Sequence, residues 1–108
     1  MTRWLYHVLR VEDDHGDPYT PRSLAAEGFV HCSWQPDAAE SARRYFAPDA
    51  HLHVLRIDPR PLGPLVVVAE TPRGPMPHVH APIPRSAILE VLEVDEVERA
   101  PDVMPPGA

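Results

Sequence analysis

Lysine is absent from this sequence: the ten basic side chains other than histidine are all arginine. That removes Schiff-base chemistry and both the P-loop and kinase-type lysines in one step. Arginine still suits bidentate contact with pyrophosphate. Cysteine is nearly absent as well. The lone Cys32 has no internal disulfide partner, and the chain has neither a signal-like N-terminal apolar run nor a run of membrane-spanning length. A cytoplasmic protein in a reducing compartment, with no membrane partner, is therefore expected. Basic charge is scarce too. A formal net charge of -6 argues against bulk nucleic-acid binding, which needs a basic face, but leaves room for a small anion held by two or three arginines.

What the chain has in excess is proline, 15 residues in 108, so long uninterrupted helices are not expected. The length suits one domain, read here as residues 1–99 with a flexible C-terminal tail at residues 100–108. "WLYHVLRV" at residues 4–11 alternates, placing Leu5, His7, Leu9 and Val11 on one face and Trp4, Tyr6 and Val8 on the other. It reads as a strand buried on most of both sides. "PRSLAAEG" predicts a short helix that opens at Pro21 and stops at Gly28. "FVHCS" begins a second strand. "QPDAAESARRYF" has Pro36 and Asp37 at its start and Arg43 and Arg44 near its end, matching a helix dipole. Beyond Pro48 the pattern turns to short apolar runs, giving strands at residues 51–58, 65–70, 77–83 and 87–94. The fold class is α+β: a split, mostly antiparallel bent sheet with two helices in the N-terminal half.

The chemistry centres on "FVHCS". In a strand starting at Phe29, His31 and Ser33 share one face while Val30 and Cys32 share the other. His31 can equally be a satisfied core histidine, and Ser33 a cap for the next helix. His7 lies on the preceding strand, and sequential strands are often neighbours, so two imidazoles could clamp one ligand. Cys32 faces away from His31 and reads as core, not as a nucleophile. Arg22 and Arg43 or Arg44 could meet a pyrophosphate. "HLH" and "HVH" each put two imidazoles on one strand face, a spacing that suits a transition metal, so a His-rich metal-dependent enzyme is one reading. A cupin-type site, however, also needs a glutamate soon after the pair, and Asp58 is the first acid after His53. No metal is expected. A two-histidine phosphoesterase needs two motifs of the form H, any residue, S or T, and only "HCS" fits.

"YH" near the start, "SLAAEGFVHCS" with Gln35 following, "LHVLRID" and "PHVHAPI" together resemble the bacterial family known as domain of unknown function 952. That family looks like a compact member of the ADP-ribosyltransferase superfamily, whose split antiparallel sheet grips NAD. The resemblance implies that His7 binds the ribose on the nicotinamide side, assisted by Ser33. It also implies that His31 stands where an aromatic residue stacks on nicotinamide. A histidine at that position is similar to the branch that removes 2′-phosphates from RNA. The third catalytic position, usually a glutamate or glutamine on a late strand, has no clear match, and Glu70 and His78 or His80 are its candidates. The resemblance thus implies an NAD-dependent ADP-ribosyl transferase acting on a phosphorylated small molecule or nucleic-acid end, with NAD as a substrate. The alternative is a non-catalytic nucleotide-binding module of the same fold.

Overall fold

The computed structural model describes residues 2–105. Two three-stranded antiparallel sheets carry the fold. The first has the order β1 (Leu5–Arg10), β3 (Leu52–Ile57), β6 (Ile88–Leu92); the second has the order β2 (Val30–His31), β5 (Gly74–Val79), β4 (Val66–Thr71). Two α-helices precede β3, α1 (Arg22–Glu27) and α2 (Gln35–Tyr45). The architecture is therefore α+β, with the helices in the N-terminal half.

Alternation along β1 organises the core. Trp4, Tyr6 and Val8 pack with the small residues Ala38, Ala39 and Ala42 of α2 and with Leu92, Val97 and Met104. Leu5 and Leu9, on the opposite face, pack with Val30, Leu55, Val79 and Ile83. A strand buried on both faces must be apolar at nearly every position, as "LYHVL" is except at His7.

Both helices end for local reasons. Gly28 takes a left-handed φ of 86° and returns its N–H to the Leu24 carbonyl, which stops α1. α2 carries Pro36 and Asp37 in its first turn and Arg43 and Arg44 in its last.

Three expectations need correction. The strand expected at residues 77–83 is β5, Gly74–Val79, and it runs through Pro75 and Pro77, two residues that lack a donor. Alternation points both prolines toward β2, where their carbonyls accept from the Trp34 indole N–H and the Cys32 N–H, while the intervening residues face β4. A partner strand of two residues asks for few donors, so the prolines are tolerated. The second half is also not all strand. Glu93 and Glu96 form a reciprocal capping box that starts a 3-10 helix at Val94–Arg99.

Within the tail expected to be flexible, residues 102–104 are tied down. Arg3 pairs with Val103 and forms a two-bonded ion pair with Asp102, Trp4 N–H donates to the Asp102 carbonyl, and Met104 is buried in the first core. Residues 106–108 lie outside the described residues. Truncating Met104 to alanine should cost about 2–5 kcal/mol, the ordinary penalty for emptying a buried methionine site. Urea unfolding of Met104→Ala measures it, and unchanged stability would show that the segment does not pack on the core.

Candidate functional site

Besides sharing the second core, the two sheets are joined by one main-chain bridge among the described residues. Tyr6 and Ser33 exchange both main-chain hydrogen bonds, N–H to carbonyl at 2.9 and 2.7 Å. His7 and His31 are therefore neighbours, though their strands belong to different sheets. The expected pair of rings from adjacent strands does not form. Instead His7 Nδ1–H donates to the His31 carbonyl at 2.6 Å, and His7 Nε2 accepts from the Tyr19 hydroxyl at 2.8 Å. A carbonyl can only accept, so these two bonds fix the tautomer with the proton on Nδ1. Both ring nitrogens are used within the protein. The role expected for His7, a direct hydrogen bond to ribose, therefore requires Tyr19 to leave; as arranged, His7 holds Tyr19.

Tyr19 is itself anchored. It forms an isolated bridge with Ile83, and its loop is tied by Asp14, which accepts from Arg85 at 2.6 Å and from His53 at 2.8 Å. Burial would raise the Asp14 carboxyl, but these two hydrogen bonds outweigh it and hold the pKa below its ordinary value.

A cleft of about 700 Å³ opens beside this junction. His7, Tyr19, Glu27, His31, Ser33, Ser41, Arg44, Tyr45, Arg73 and His78 are among the residues that line it, and the volume is that of a small-molecule site. On one wall His31 and His78 are cross-strand partners with ring centroids 5.6 Å apart. Phe29 stacks on His78 at 4.0 Å, nearly parallel. His31 Nε2–H donates to the Glu27 carboxylate. Burial, reinforced by His31 and His80 nearby, lowers the pKa of His78 from its ordinary value, which favours neutral imidazole.

Alternation decides the fate of the other expected residues. On β4, Thr71 lines the cleft, so Glu70 points to the opposite face; it lies opposite Pro75, is exposed, and takes no part in the cleft. His80 is exposed beyond the end of β5, beside Phe29 at 5.6 Å. Arg22 is exposed at the start of α1, between two residues that line the cleft without lining it itself. Ser33 is not a helix cap, because its hydroxyl pairs with that of Ser41 at 2.7 Å. Cys32 is buried in the second core, and burial pushes its thiol pKa up to about 12, which suits a structural residue. His51 and His53 face different carboxylates, Glu93 and Asp14. Among the described residues no three His, Cys, Asp or Glu side chains gather as metal ligands.

Sequence reasoning missed Tyr19, Glu27, Ser41 and Arg73. Only Glu27 left a local signal, four residues before His31 and beside the glycine that stops α1.

The model of the family described as "Protein of unknown function (DUF952)" matches residues 10–91. The chain belongs to the DUF952 family. Among solved structures, the DUF952 chain is similar to protein CC0527 from Caulobacter crescentus at 24% identity, over 83% of this chain and 84% of that one, with a TM-score of 0.73. A double mutant of the same Caulobacter protein matches at 23% identity with the same TM-score and coverage. At that identity the likeness is one of fold. No curated protein matches the DUF952 chain.

Burial lowers the His7 pKa to about 4 from an ordinary 6.5, against the opposing pull of the His31 carbonyl. The folded protein thus binds this proton less readily than the unfolded chain. The stability that neutral His7 provides is complete above pH 6.5 and is lost as the pH falls toward 4, an effect on the order of 3 kcal/mol. Urea unfolding should show the gap between wild type and His7→Gln narrowing from pH 7 to pH 4.5. A constant gap would mean that His7 titrates normally in the fold.

Proposed function

We propose that the cleft binds NAD and transfers its ADP-ribosyl group to a phosphorylated acceptor, and that the two sheets are a compact version of the split sheet of ADP-ribosyltransferases. The observation that carries this reading is the convergence of His31 and His78, ring centroids 5.6 Å apart, on one wall of a cleft large enough for a nucleotide.

The chemistry follows from the groups on that wall. Breaking the nicotinamide bond builds cationic, oxocarbenium-like character on the ribose, which a nearby carboxylate stabilises. Glu70 lies outside the cleft, so Glu27, bonded to His31, is the carboxylate available to do this. The acceptor oxygen attacks the anomeric carbon. The electron pair of the breaking C–N bond passes to the pyridinium ring, and neutral nicotinamide leaves. Where the acceptor is a hydroxyl, neutral His78 takes its proton; a phosphate oxygen needs no base. Tyr19, whose hydroxyl proton is committed to His7, offers lone pairs to a ribose hydroxyl. Such chemistry would operate in a reducing cytoplasm with Cys32 as a free thiol.

One observation favours a second reading, a nucleotide-binding module without turnover: both ring nitrogens of His7 are spent inside the protein. Incubation with NAD, alone and with phosphorylated acceptors, followed by assay of nicotinamide, separates the two. Transfer predicts release that falls by about 10²- to 10⁴-fold in His78→Ala and His31→Ala. NAD binding without release in any condition would leave the binding module. Absence of NAD binding by calorimetry would remove transfer, and absence of ADP binding as well would remove the module.

A further inference from the structure

Arg73 sits in the tight turn between β4 and β5. The Thr71 hydroxyl donates to the Gly74 carbonyl at 2.7 Å and accepts from the Arg73 N–H at 3.1 Å, and Gly74 has the left-handed φ of 93° that closes the turn. The turn aims Arg73 back across the cleft at α2. Its Nη1 donates to Ser41 Oγ at 2.9 Å and its Nη2 to the Asp37 carbonyl at 3.3 Å. The side chain is only 10% exposed, yet its nearest carboxylate, Glu40, is 3.8 Å away and half exposed. Arg44 shares that same Glu40, at 3.3 Å. Two guanidinium groups thus divide one carboxylate. Both line the cleft and Glu40 does not.

This surplus of positive charge stands out in a chain of net charge -6. A guanidinium has five N–H donors, and two of those of Arg73 are committed to neutral oxygens. Beside it, Ser41 donates to the Asp37 carbonyl at 3.1 Å, so in the 2.7 Å Ser33–Ser41 pair Ser33 is the donor. Arg73, Ser41 and Ser33 form one hydrogen-bonded line that leads toward the histidine wall. Ser33 follows His31 by two residues of extended chain, about 7 Å.

We infer that this end of the cleft is an anion subsite formed by Arg73 and Arg44, with Ser41, which accepts from Arg73, holding that guanidinium in place, and that it takes the pyrophosphate of a nucleoside diphosphate. The inference rests on the reading that the cleft takes a nucleotide, and it assigns the part of that ligand which the histidine wall does not address. Planar, bidentate contact with phosphate oxygens is what arginine supplies, and the Arg73 side chain, only 10% exposed, is screened less than a surface guanidinium.

Calorimetric titration with inorganic pyrophosphate, ADP and adenosine tests it on wild type, Arg73→Gln and Arg44→Gln, each checked for an unchanged melting transition. Wild type should bind ADP at least tenfold more tightly than adenosine and should bind pyrophosphate alone, with both affinities falling as salt rises. Arg73→Gln should lose tenfold or more for ADP and nothing for adenosine. Arg44→Gln, at a half-exposed position, should lose less than Arg73→Gln but measurably. Equal affinity for ADP and adenosine, or ADP binding unchanged in both variants, would overturn the subsite. If Arg73→Gln does not fold because Arg73 also pins the turn to α2, unchanged pyrophosphate binding in Arg44→Gln overturns it alone. Pyrophosphate binding without NAD binding would leave the subsite standing and remove the NAD reading. NAD binding indifferent to both arginines would do the reverse.

Discussion

The pair of main-chain hydrogen bonds between Tyr6 and Ser33 is the constraint on which the rest of this structure depends. It is the main-chain seam between two antiparallel sheets that also share the second core, and the His7 ring reinforces it through the His31 carbonyl. The α2 core packs on one face of β1, the second core on the other, and the cleft lies beside the seam. The seam also accounts for the one polar side chain in the middle of a strand that is buried on both faces. His7 is tolerated there because each of its ring nitrogens has a partner, as a buried polar group requires.

From this seam the polarity of the cleft follows. β2 pairs with β5 for only two residues, but one of those pairs is His31 with His78, so the short strand is enough to bring two imidazoles face to edge. The chain then leaves β2 through Ser33 into α2, whose later turns carry Ser41, Arg44 and Tyr45 to the cleft from the other direction. The histidine wall and the arginine end are thus successive stretches of one polypeptide. Tyr19 is brought in by a separate loop, fixed by the Asp14 carboxylate between Arg85 and His53 and by the bridge to Ile83. Those anchors make the Tyr19 hydroxyl a preorganised acceptor at little entropic cost on binding.

Much of the fold was legible because it is governed by short-range rules. The alternation of "WLYHVLRV" divided Leu5 and Leu9 from Trp4, Tyr6 and Val8 as the two cores divide them, though Val11 falls in a 3-10 helix past the strand's end, and Gly28 and Pro36 marked helix ends for stereochemical reasons. The prolines of β5 misled, because their cost depends on which neighbour each missing donor faces, and the alternation of one strand does not disclose its partner. The acidic 3-10 helix after Glu93 and the docked Met104 depend on a capping box and on long-range packing against Trp4 and Tyr6, which no local pattern announces. At the site, His31 and Ser33 could be found from their strand face, and His78 came only through the family resemblance. Glu70 was misplaced by one step of alternation. Arg73 and Tyr19 were invisible, since each reaches the cleft from a turn or loop whose aim is set by residues far away in sequence.

The central claim is that His7 is a neutral strut of fixed tautomer that welds the sheets and holds Tyr19. Long-range proton–nitrogen NMR of the histidine rings tests it most directly, with His7→Gln identifying the resonance. The structure predicts a proton on Nδ1, a bare Nε2, and a ring that stays neutral from pH 7 to pH 5, because burial lowers its pKa to about 4. A proton on Nε2, or a ring that charges near its ordinary 6.5, would contradict the account.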